Sequence, residues 1–509
     1  MTSRQSDILL TTINASYIHA SIGLRYLYAN LDELQPQTSI LEFTSHLRPA
    51  DIAEKILQLS PRIIGFGVYI WNTEDTTKVI SLLKLIAPDI IIVIGGPEVS
   101  YEYEQQEIFQ LTDFLIPGAA DTGFASLCRH LFQQSNQHYL PDIKTQNSNF
   151  IGKVFKVQEP PLEQLELPYQ YYTDEDINNR VIYVEASRGC PFKCEFCLSA
   201  LDKTSVPFDV DVFLKELESL YERGARNFKF VDRTFNLKIQ TSLKILEFFL
   251  QRLSDQLFLH FEIIPDRLPD ALKAAIVRFP SGCLQFELGV QSFNPQVQEL
   301  ISRRQNNTKT QESLRWLRNH SNAHIHADLI FALPGEDLNS FARGFNLLYS
   351  LRPHDIQLGI LKRLRGTPVI RHTEVYRLVF ELSSPYSILS TSLIDFSLIQ
   401  RVSRFARYWQ LIANSGHFKH SLKLLLADQA FERFLAFSDW LFEYSGKTHQ
   451  ISLRKLYDYL YYGGIHCFTI QNNEMVNALL KDYTAAGLKG LPEFYKTLTT
   501  NNKKTIKKQ

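Results

Sequence analysis

The sequence predicts an α/β protein made of three structured regions. Short apolar runs alternate with amphipathic stretches in two separate series, a pattern typical of β/α units on parallel sheets. The chain has 509 residues, which is too many for one hydrophobic core. We expect a doubly wound, Rossmann-like domain over 1–140, a linker over 141–178, a partial (β/α)6 barrel over 179–375 and a mostly helical domain over 376–509.

The first series contains five apolar runs without strict alternation, which favours strands that are buried on both faces. These predicted strands are Asp7–Ile13, Ser39–Phe43, Arg62–Val68, Asp89–Gly95 and Asp113–Pro117. Helices are predicted between them, over Ile22–Leu34 and Thr76–Leu85. Residues 134–168 are rich in Gln, Asn, Pro and Glu and show no period, which indicates a linker or a wrapped connection.

The second series begins near Arg180 and contains six β/α units. Its predicted strands are Ile182–Ser187, Asn227–Asp232, Phe258–Ile264, Leu284–Val290, His324–Ala332 and Asp355–Leu361. Helical patterns such as Asp211–Glu222 and Leu243–Leu253 separate them. Such a barrel places its functional site at the carboxyl ends of the strands. Beyond Pro385 the pattern is helical and aromatic, as in Leu393–Ile412 and Phe431–Phe442.

The composition narrows the range of partners and compartments. Basic and acidic residues are equal in number, 54 each, so a nucleic-acid partner is not expected. No segment approaches the roughly 18 apolar residues that span a bilayer. The N-terminal stretch lacks the pattern of a signal peptide, which predicts a cytoplasmic protein.

Three of the six cysteines fall within eight residues, in the segment Ser187-Arg-Gly-Cys190-Pro-Phe-Lys-Cys194-Glu-Phe-Cys197. Thiolates are soft ligands that suit zinc or iron–sulfur clusters. Three cysteines on one short loop can hold three corners of a cubane cluster and leave the fourth iron open to a small molecule. Structural zinc, the alternative, needs a fourth ligand, but the nearest histidines, His138 and His260, are far along the chain.

This spacing, Cys-x3-Cys-x-aromatic-Cys after a first barrel strand, resembles the radical S-adenosylmethionine superfamily. The resemblance implies a [4Fe–4S] cluster on the three cysteines whose open iron chelates S-adenosylmethionine. It further implies that an electron from the cluster cleaves the sulfonium and yields a 5′-deoxyadenosyl radical. Phe196 then lies beside the adenine.

Later segments resemble the same superfamily piece by piece at the strand ends. They imply further contacts with S-adenosylmethionine for Asp232, Glu262, Glu287, Gln291 and Arg303, or the adjacent Arg304. For each carboxylate the alternative is a strand-end residue paired with a neighbouring cation. The turn Asp328-Leu-Ile-Phe-Ala-Leu-Pro-Gly335-Glu336 also resembles the superfamily's fifth-strand signature.

The N-terminal domain resembles the cobalamin-binding domain of the cobalamin-dependent radical subfamily. Gly95-Gly96-Pro97-Glu98 ends an apolar strand, where glycines let a ligand approach the backbone. The run Asn14-Ala-Ser-Tyr17-Ile-His19 resembles the first loop of an uncharacterised clade within that subfamily, which has an extra C-terminal domain. The resemblance implies cobalamin contacts; the residues concerned are Asn14, Tyr17, His19, Gly95, Gly96 and Glu98.

The chain departs from the subfamily at two points. The cobalt-ligating motif Asp-x-His-x-x-Gly lacks its Asp here, because Tyr17 stands at that position. Many members carry Gly-Glu-Gly-Glu after the fifth strand, where this chain has Gly118-Ala-Ala-Asp121. A domain that has lost cobalamin is therefore an open alternative.

Three other functions compete with this interpretation. A metal-dependent hydrolase would use His324, His326 and Asp328, which share one face of a strand. A tRNA methylthiolating enzyme needs three N-terminal cysteines, and this domain offers only Cys128. The third is a non-catalytic cobalamin or iron–sulfur binding protein.

The sequence thus predicts an enzyme that modifies a carbon centre of an unidentified substrate. Cobalamin-dependent methyl transfer is the leading reaction, and radical ring formation or rearrangement is the alternative. Cleavage of S-adenosylmethionine requires a low-potential electron donor of the flavodoxin or ferredoxin type. The protein should supply orientation and exclude water, since the cofactors carry the hard chemistry.

Overall fold

The computed structural model describes residues 6–133, 144–145 and 148–498. An eight-stranded sheet forms the N-terminal domain, in the order β2-β1-β3-β4-β5-β8-β7-β6. Its strands are β1 (Ile8–Asn14), β2 (Thr38–Thr44), β3 (Ile63–Gly67), β4 (Ile91–Gly95), β5 (Phe114–Ile116), β6 (Lys144–Thr145), β7 (Ser148–Ile151) and β8 (Val154–Val157). The first five strands are parallel and lie where the sequence predicts them.

Helices cover both faces of this sheet and bury two separate apolar cores against it. They are α1 (Ile22–Ala29), α2 (Pro49–Leu57), α3 (Thr73–Ile86), α4 (Glu107–Leu111) and α5 (Gly123–Gln133). The helix predicted to reach Leu34 ends at Ala29, because the Asn30 amide donates to the Tyr26 carbonyl at 2.9 Å and caps the turn. A short 3-10 helix, Asp32–Gln37, follows it.

The stretch predicted to be a linker is partly folded into the sheet. Strands β7 and β8 form an antiparallel pair, and β8 pairs with β5 in parallel through Leu115 and Val154. Its residues 134–143 and 146–147 lie outside the described part of the chain. The hairpin escapes sequence reasoning because its strands are short and their contacts lie on a distant strand.

The second domain is a six-stranded parallel sheet in the order β16-β15-β14-β13-β12-β9. The strands of this region are β9 (Ile182–Val184), β10 (Ser187–Arg188), β11 (Val206–Pro207), β12 (Asn227–Phe230), β13 (Phe258–Ile263), β14 (Leu284–Gln291), β15 (His324–Phe331) and β16 (Asp355–Ile360). Strands β10 and β11 leave the barrel and pair with each other as an antiparallel ribbon.

Helices pack on the outer face of this sheet. They are α6 (Asp174–Asn179), α7 (Val210–Glu222), α8 (Ile239–Leu250), α9 (Asp270–Ile276), α10 (Pro295–Leu300), α11 (Asn307–His320) and α12 (Leu338–Ser350). On β14 and β15, buried residues alternate strictly with half-buried ones. The buried set faces the helices, so the polar set faces the lumen of the barrel.

Within the described residues the barrel stays open, because β9 and β16 are the two ends of the sheet. The chain that leaves β16, residues 363–386, which we call the post-barrel segment, crosses to the N-terminal domain. Arg363 pairs with Glu102 at 2.5 Å and Arg365 pairs with Glu98 at 2.9 Å. The Tyr386 hydroxyl also donates to Glu98, at 2.6 Å.

The C-terminal region is mostly helical, as predicted. Its elements are a small β-ribbon and six helices: β17 (Val379–Phe380), β18 (Ile388–Ser390), α13 (Thr373–Tyr376), α14 (Phe396–Ile412), α15 (Lys419–Leu426), α16 (Ala430–Ser445), α17 (Leu453–Phe468) and α18 (Asn472–Ala485). Aromatic residues of α14 and α16 pack edge-to-face on Phe345 of α12, which joins this region to the barrel. Among the described helices, none has the length and apolarity needed to cross a membrane.

A buried charge cluster joins the N-terminal domain to the start of the barrel. Arg25 of α1 pairs with Glu42 of β2 at 2.5 Å and with Asp176 of α6 at 2.7 Å. Arg180 pairs with the other Glu42 oxygen at 3.0 Å. All four side chains are at most 12% exposed, so each charge depends on its partners for solvation.

We predict that Glu42→Gln destabilises the protein by about 3 kcal/mol, since it leaves Arg25 and Arg180 buried with one carboxylate between them. Chemical denaturation followed by circular dichroism measures the change. The control is Glu33→Gln, which removes a carboxylate from an exposed pair with Arg129 and should leave the midpoint almost unchanged. Equal midpoints for the two variants would contradict the role given to this cluster.

Candidate active site

The three clustered cysteines lie on a loop, Cys190–Cys197, which we call the cysteine loop. It is closed at its base by the β10–β11 ribbon. Gly189 has a φ of +90°, and a Cβ there would stand 2.6 Å from the Thr204 carbonyl oxygen, so the turn requires glycine. The Cys190 amide donates to the Asp202 carbonyl at 3.1 Å, and the Cys197 amide donates to the Cys194 carbonyl at 3.1 Å.

The thiols of this loop are shielded from solvent, and that of Cys194 accepts a hydrogen bond from a cationic side chain. Cys190 and Cys194 are buried and Cys197 is half-buried. Burial raises the pKa of Cys190 and of Cys194, and for Cys194 the nearby Arg303 guanidinium opposes that rise. Arg303 Nη1 donates to Cys194 Sγ at 3.4 Å. Without a metal these buried thiols stay protonated at neutral pH, whereas a metal would deprotonate them.

The cysteine loop forms one wall of a cavity of about 250 Å³ at the carboxyl ends of the barrel strands. Most of the residues predicted from the sequence meet there. The lining includes Cys190, Cys194, Cys197, Phe196, Glu262, Glu287, Gln291, Arg303 and Arg304. It also includes Arg233 and Asp328, for which we predicted no specific contact with S-adenosylmethionine.

Gln291 occupies a strained position that directs it into this cavity. It has a φ of +68° and follows an irregularity in the β14–β15 register at Gly289. Its Oε1 atom is buried and has no hydrogen-bond partner in the described structure. A buried acceptor without a partner is costly, so the site suits a ligand that brings a hydrogen-bond donor.

Two predicted carboxylates lie differently at this edge. Glu262 pairs with Arg233 at 2.7 Å on the cavity wall. Asp232 is outside the cavity lining, and its oxygens accept the Ala186 amide at 2.9 Å and the Ser187 hydroxyl at 2.6 Å. Burial raises the pKa of Asp232 to about 7. The donors to Asp232 are thus an amide and a hydroxyl, where the alternative interpretation expected a cation, and its contact with S-adenosylmethionine stays a prediction.

Glu287 is held ionised at the wall of the cavity. Its Oε2 atom lies 3.0 Å from His260 Nε2. Burial by itself would raise the pKa of Glu287, but the His260 hydrogen bond and the charges of Lys229 and His326 outweigh it and lower the pKa to about 2. Glu287 is thus a fixed negative charge in the lumen.

The histidines of β15 take part in an ion-pair network below the cavity. His326 lies between Asp328, at 3.3 Å, and Asp355, at 3.6 Å, and His324 lies 2.7 Å from Asp355. Burial opposes protonation of His326, but the two carboxylates raise its pKa to about 10. The two histidines are therefore held by carboxylates of β15 and β16, and the hydrolase alternative stays a hypothesis.

Across the described residues, no three His, Cys, Asp or Glu side chains converge as they must around one metal ion. A single zinc ion needs every sulfur at about 2.3 Å from one point. A cubane cluster relaxes this requirement, because each cysteine binds a different iron. The buried thiols, the Arg303 donor and the unpaired Gln291 oxygen therefore suit a cluster with a bound ligand better than structural zinc.

A second cavity, of about 490 Å³, lies at the carboxyl edge of the N-terminal sheet and faces the barrel. Its lining combines apolar and aromatic side chains with several glycines, among them Gly67, Gly95 and Gly118. A Cβ on Gly118 would meet nothing within 4 Å, and one on Gly95 would meet only the Ile116 carbonyl oxygen, at 3.4 Å. The strand ends thus leave room for a large flat ligand to approach the backbone.

Four of the six residues predicted to contact cobalamin lie outside the lining of this cavity. Asn14 donates to Glu42 at 2.7 Å, and Tyr17 donates to Glu175 at 2.5 Å. His19 Nδ1 lies 2.7 Å from the hydroxyl of Tyr183 on β9. Tyr17 and His19 thus join the two domains, Asn14 contacts its own domain, and Glu98 binds the post-barrel segment. Cobalamin contacts by these four residues stay predictions, and the described lining contains no His, Cys or Met side chain.

The sequence analysis did not identify Arg188, which lies between the second cavity and the cysteine loop. Arg188 of β10 lines the N-terminal cavity and precedes Cys190 by two positions. Its guanidinium pairs with Asp121 at 2.8 Å and with Glu185 at 3.0 Å. The only sequence signal was its position in the cysteine motif. Strand β10 thus lines the second cavity, and the cysteine loop that follows it lines the first.

Comparisons with known proteins agree with this arrangement. The family model for the B12 binding domain matches residues 8–127, and the Radical SAM superfamily model matches residues 184–348. A third family model, described as a protein of unknown function (DUF4080), matches residues 374–509. The matches confirm the predicted fold class and the predicted combination of cofactor-binding domains.

An uncharacterised methyltransferase of Pyrococcus horikoshii is 27% identical over 298 residues, which are 55% of this chain and 63% of that protein. The chain thus spans less than two thirds of this relative's length. The methyltransferase TsrM from Kitasatospora setae has a similar fold, with a TM-score of 0.60 and 15% identity over 81% of this chain and 90% of that one. The cobalamin-dependent radical enzyme OxsB gives a TM-score of 0.61 and 15% identity, over 94% of this chain and 80% of that one.

We predict that stability falls as the pH rises above neutrality because of His326. Its folded pKa of about 10 exceeds the ordinary value of 6.5, so its contribution is complete below pH 6.5 and is lost by about pH 10. The loss should reach roughly 2 to 5 kcal/mol. In His326→Gln this slope should disappear from unfolding midpoints measured between pH 6 and 10. The matched control, His46→Gln at an exposed position, should keep it.

Proposed function

We propose that this chain, a radical SAM protein with an N-terminal B12-binding domain, reductively cleaves S-adenosylmethionine and modifies a carbon centre of its substrate, with cobalamin-dependent methyl transfer as the reaction. The observation that carries the proposal is the convergence of the cysteine loop and the polar strand ends on one cavity. A second cavity is lined by Arg188 of β10, the strand that leads directly into the cysteine loop.

The cysteine loop would hold the cluster through Cys190, Cys194 and Cys197, with Arg303 donating to Cys194. When bound, the cluster supplies one electron to S-adenosylmethionine and thereby a radical able to remove hydrogen from carbon. Phe196, within the cysteine loop, lines the cavity and would offer a flat surface for the adenine ring. The unpaired Gln291 oxygen accepts a donor from the bound S-adenosylmethionine.

Charged residues around the cavity position the ligand and keep its surroundings fixed. Arg303 and Arg304 provide cations for the methionine carboxylate, and Glu262 is held in place by Arg233. Glu287 stays ionised at neutral pH because its pKa is about 2. These groups replace water as a prearranged polar environment, which protects a reactive radical from side reactions.

The N-terminal cavity would hold cobalamin against the glycine-rich ends of β3 and β4. When bound, cobalamin supplies a carrier for a methyl group. The lining residues described here leave cobalt without a protein imidazole, which distinguishes this site from one with a histidine ligand. The methyltransferases among the relatives support methyl transfer as the reaction.

The proposal requires a substrate and an electron source. The substrate is a small molecule that reaches the cavity between the domains. A cytoplasmic flavodoxin or ferredoxin provides the low-potential electron, since cleavage of S-adenosylmethionine is reductive.

We predict that anaerobically reconstituted protein, given dithionite and S-adenosylmethionine, forms 5′-deoxyadenosine. Cys194→Ala should abolish product formation, because the cluster loses one of three protein ligands. Cys467→Ala removes a cysteine from α17 of the C-terminal region and should retain it. Chromatography measures the 5′-deoxyadenosine formed by each variant. Its formation by Cys194→Ala would refute the ligand set.

We also predict that Gly95→Val weakens cobalamin uptake by about tenfold or more, because its methyl groups enter the N-terminal cavity. Absorbance after gel filtration measures the bound corrinoid. His19→Ala should bind as the unsubstituted protein does, since His19 lies outside the cavity lining. Loss of uptake in His19→Ala, with normal uptake in Gly95→Val, would place cobalamin elsewhere.

A further inference from the structure

Glu195 follows Cys194 directly in the cysteine loop, and the chemistry described above does not use it. Its side chain is 3% exposed, although glutamate is seldom buried unless it is paired. Oε1 accepts the Ser302 hydroxyl at 2.5 Å and also a hydrogen bond from Arg371. Oε2 lies 2.9 Å from His372 Nε2.

The backbone of Glu195 is fixed as completely as its side chain. Its amide donates to the Ile301 carbonyl at 3.0 Å, and its carbonyl accepts the Val369 amide at 3.0 Å. His372 Nε2 also lies 3.0 Å from the Leu300 carbonyl oxygen. The partners of Glu195 thus come from two segments, the end of α10 and a 3-10 helix, Pro368–His372.

The cysteine loop and the 3-10 helix Pro368–His372 lie on opposite sides of the opening in the barrel. The cysteine loop follows β9, and Pro368–His372 follows β16, and these strands are the two ends of the sheet. Glu195 and His372 are 177 positions apart in the chain. One carboxylate therefore joins the cysteine loop to the far end of the barrel, where backbone hydrogen bonding between strands does not reach.

The same contacts extend to the sulfur atoms. Ser302, which donates to Glu195, precedes Arg303, which donates to Cys194 Sγ at 3.4 Å. Any movement of the loop away from Ser302 lengthens the donor–sulfur contact. Hydrogen bonds to cluster sulfurs are among the factors that set the reduction potential.

We propose that Glu195 is a positioning residue that joins the cysteine loop to the α10 end and to residues 368–372, and so fixes the geometry in which Cys194 meets Arg303. The cluster part of this proposal rests on the proposed function. The structural part concerns the protein without its cluster. The two parts are therefore tested separately.

Hydrogen exchange of the full-length protein without cluster tests the structural part. In Glu195→Gln, one acceptor oxygen becomes an amide group that only donates and that faces either Arg371 or His372, so peptides containing Glu195 and Val369 should exchange about tenfold faster or more. Glu195→Asp keeps the charge and should restore part of the protection. Glu374→Gln removes an exposed carboxylate from the neighbouring helix and should match the unsubstituted protein.

The pattern of exchange distinguishes positioning from a general loss of stability. Faster exchange confined to these two regions supports the proposal, and equal acceleration over the whole chain overturns it. If Glu195→Gln folds poorly, Arg371→Ala tests the same link from a side chain that is 59% exposed. Unchanged exchange in every folded variant also overturns the proposal.

A redox titration followed by electron paramagnetic resonance tests the cluster part. The reconstituted cluster of Glu195→Gln should have a more negative midpoint potential than that of Glu374→Gln, because a loosened Arg303 stabilises the reduced, more negative state less. An unchanged potential overturns the effect on the cluster. Failure of the unsubstituted protein to cleave S-adenosylmethionine would refute the proposed function and leave the exchange result standing.

Discussion

The open barrel is the constraint on which the rest of this structure depends. Six parallel strands curl around a lumen, but within the described residues β9 and β16 do not meet. Edge strands of this kind have backbone N–H and C=O groups without a strand partner, and they leave a gap at the mouth of the site. The chain bridges the gap with side chains instead of strand pairing: Glu195 links the cysteine loop to residues beyond β16, and the post-barrel segment continues to the N-terminal domain.

Buried charge is the second element that organises the molecule. The lumen contains Glu287, His326 and Asp355, and the interdomain contact contains Arg25 and Glu42, all in surroundings that disfavour isolated ions. Each is held by partners on a neighbouring strand or domain. Burial shifts the pKa of each of Glu287, His326 and Asp355 toward the neutral form, whereas the charged partners shift it toward the ionised form. The net shift favours the ionised form, so the partners outweigh burial. Such networks fix geometry more than they add stability.

The sequence was most informative where the signal was local. Apolar runs located the parallel strands to within a few residues, and the cysteine spacing identified the loop that lines the first cavity. It was least informative about pairing over long separations. Tyr17 and His19 contact residues of the adjoining domain, Asn14 contacts Glu42 of its own sheet, and Asp232 turns toward Ser187, not the cavity. A residue type at a strand end does not reveal which neighbour its oxygens will reach, so the contacts of Glu195 and Arg188 were also missed.

The contacts of the post-barrel segment limit where related proteins can recombine and still fold. Family boundaries drawn along the chain place a junction at residue 374, yet Arg365 on one side of it and Tyr386 on the other both bind Glu98. A recombination crossover within 363–386 would give a chimera whose Glu98, Glu102 and Glu195 face foreign partners. Viable hybrids should have their crossover beyond β18. The barrel and the post-barrel segment must therefore come from the same parent.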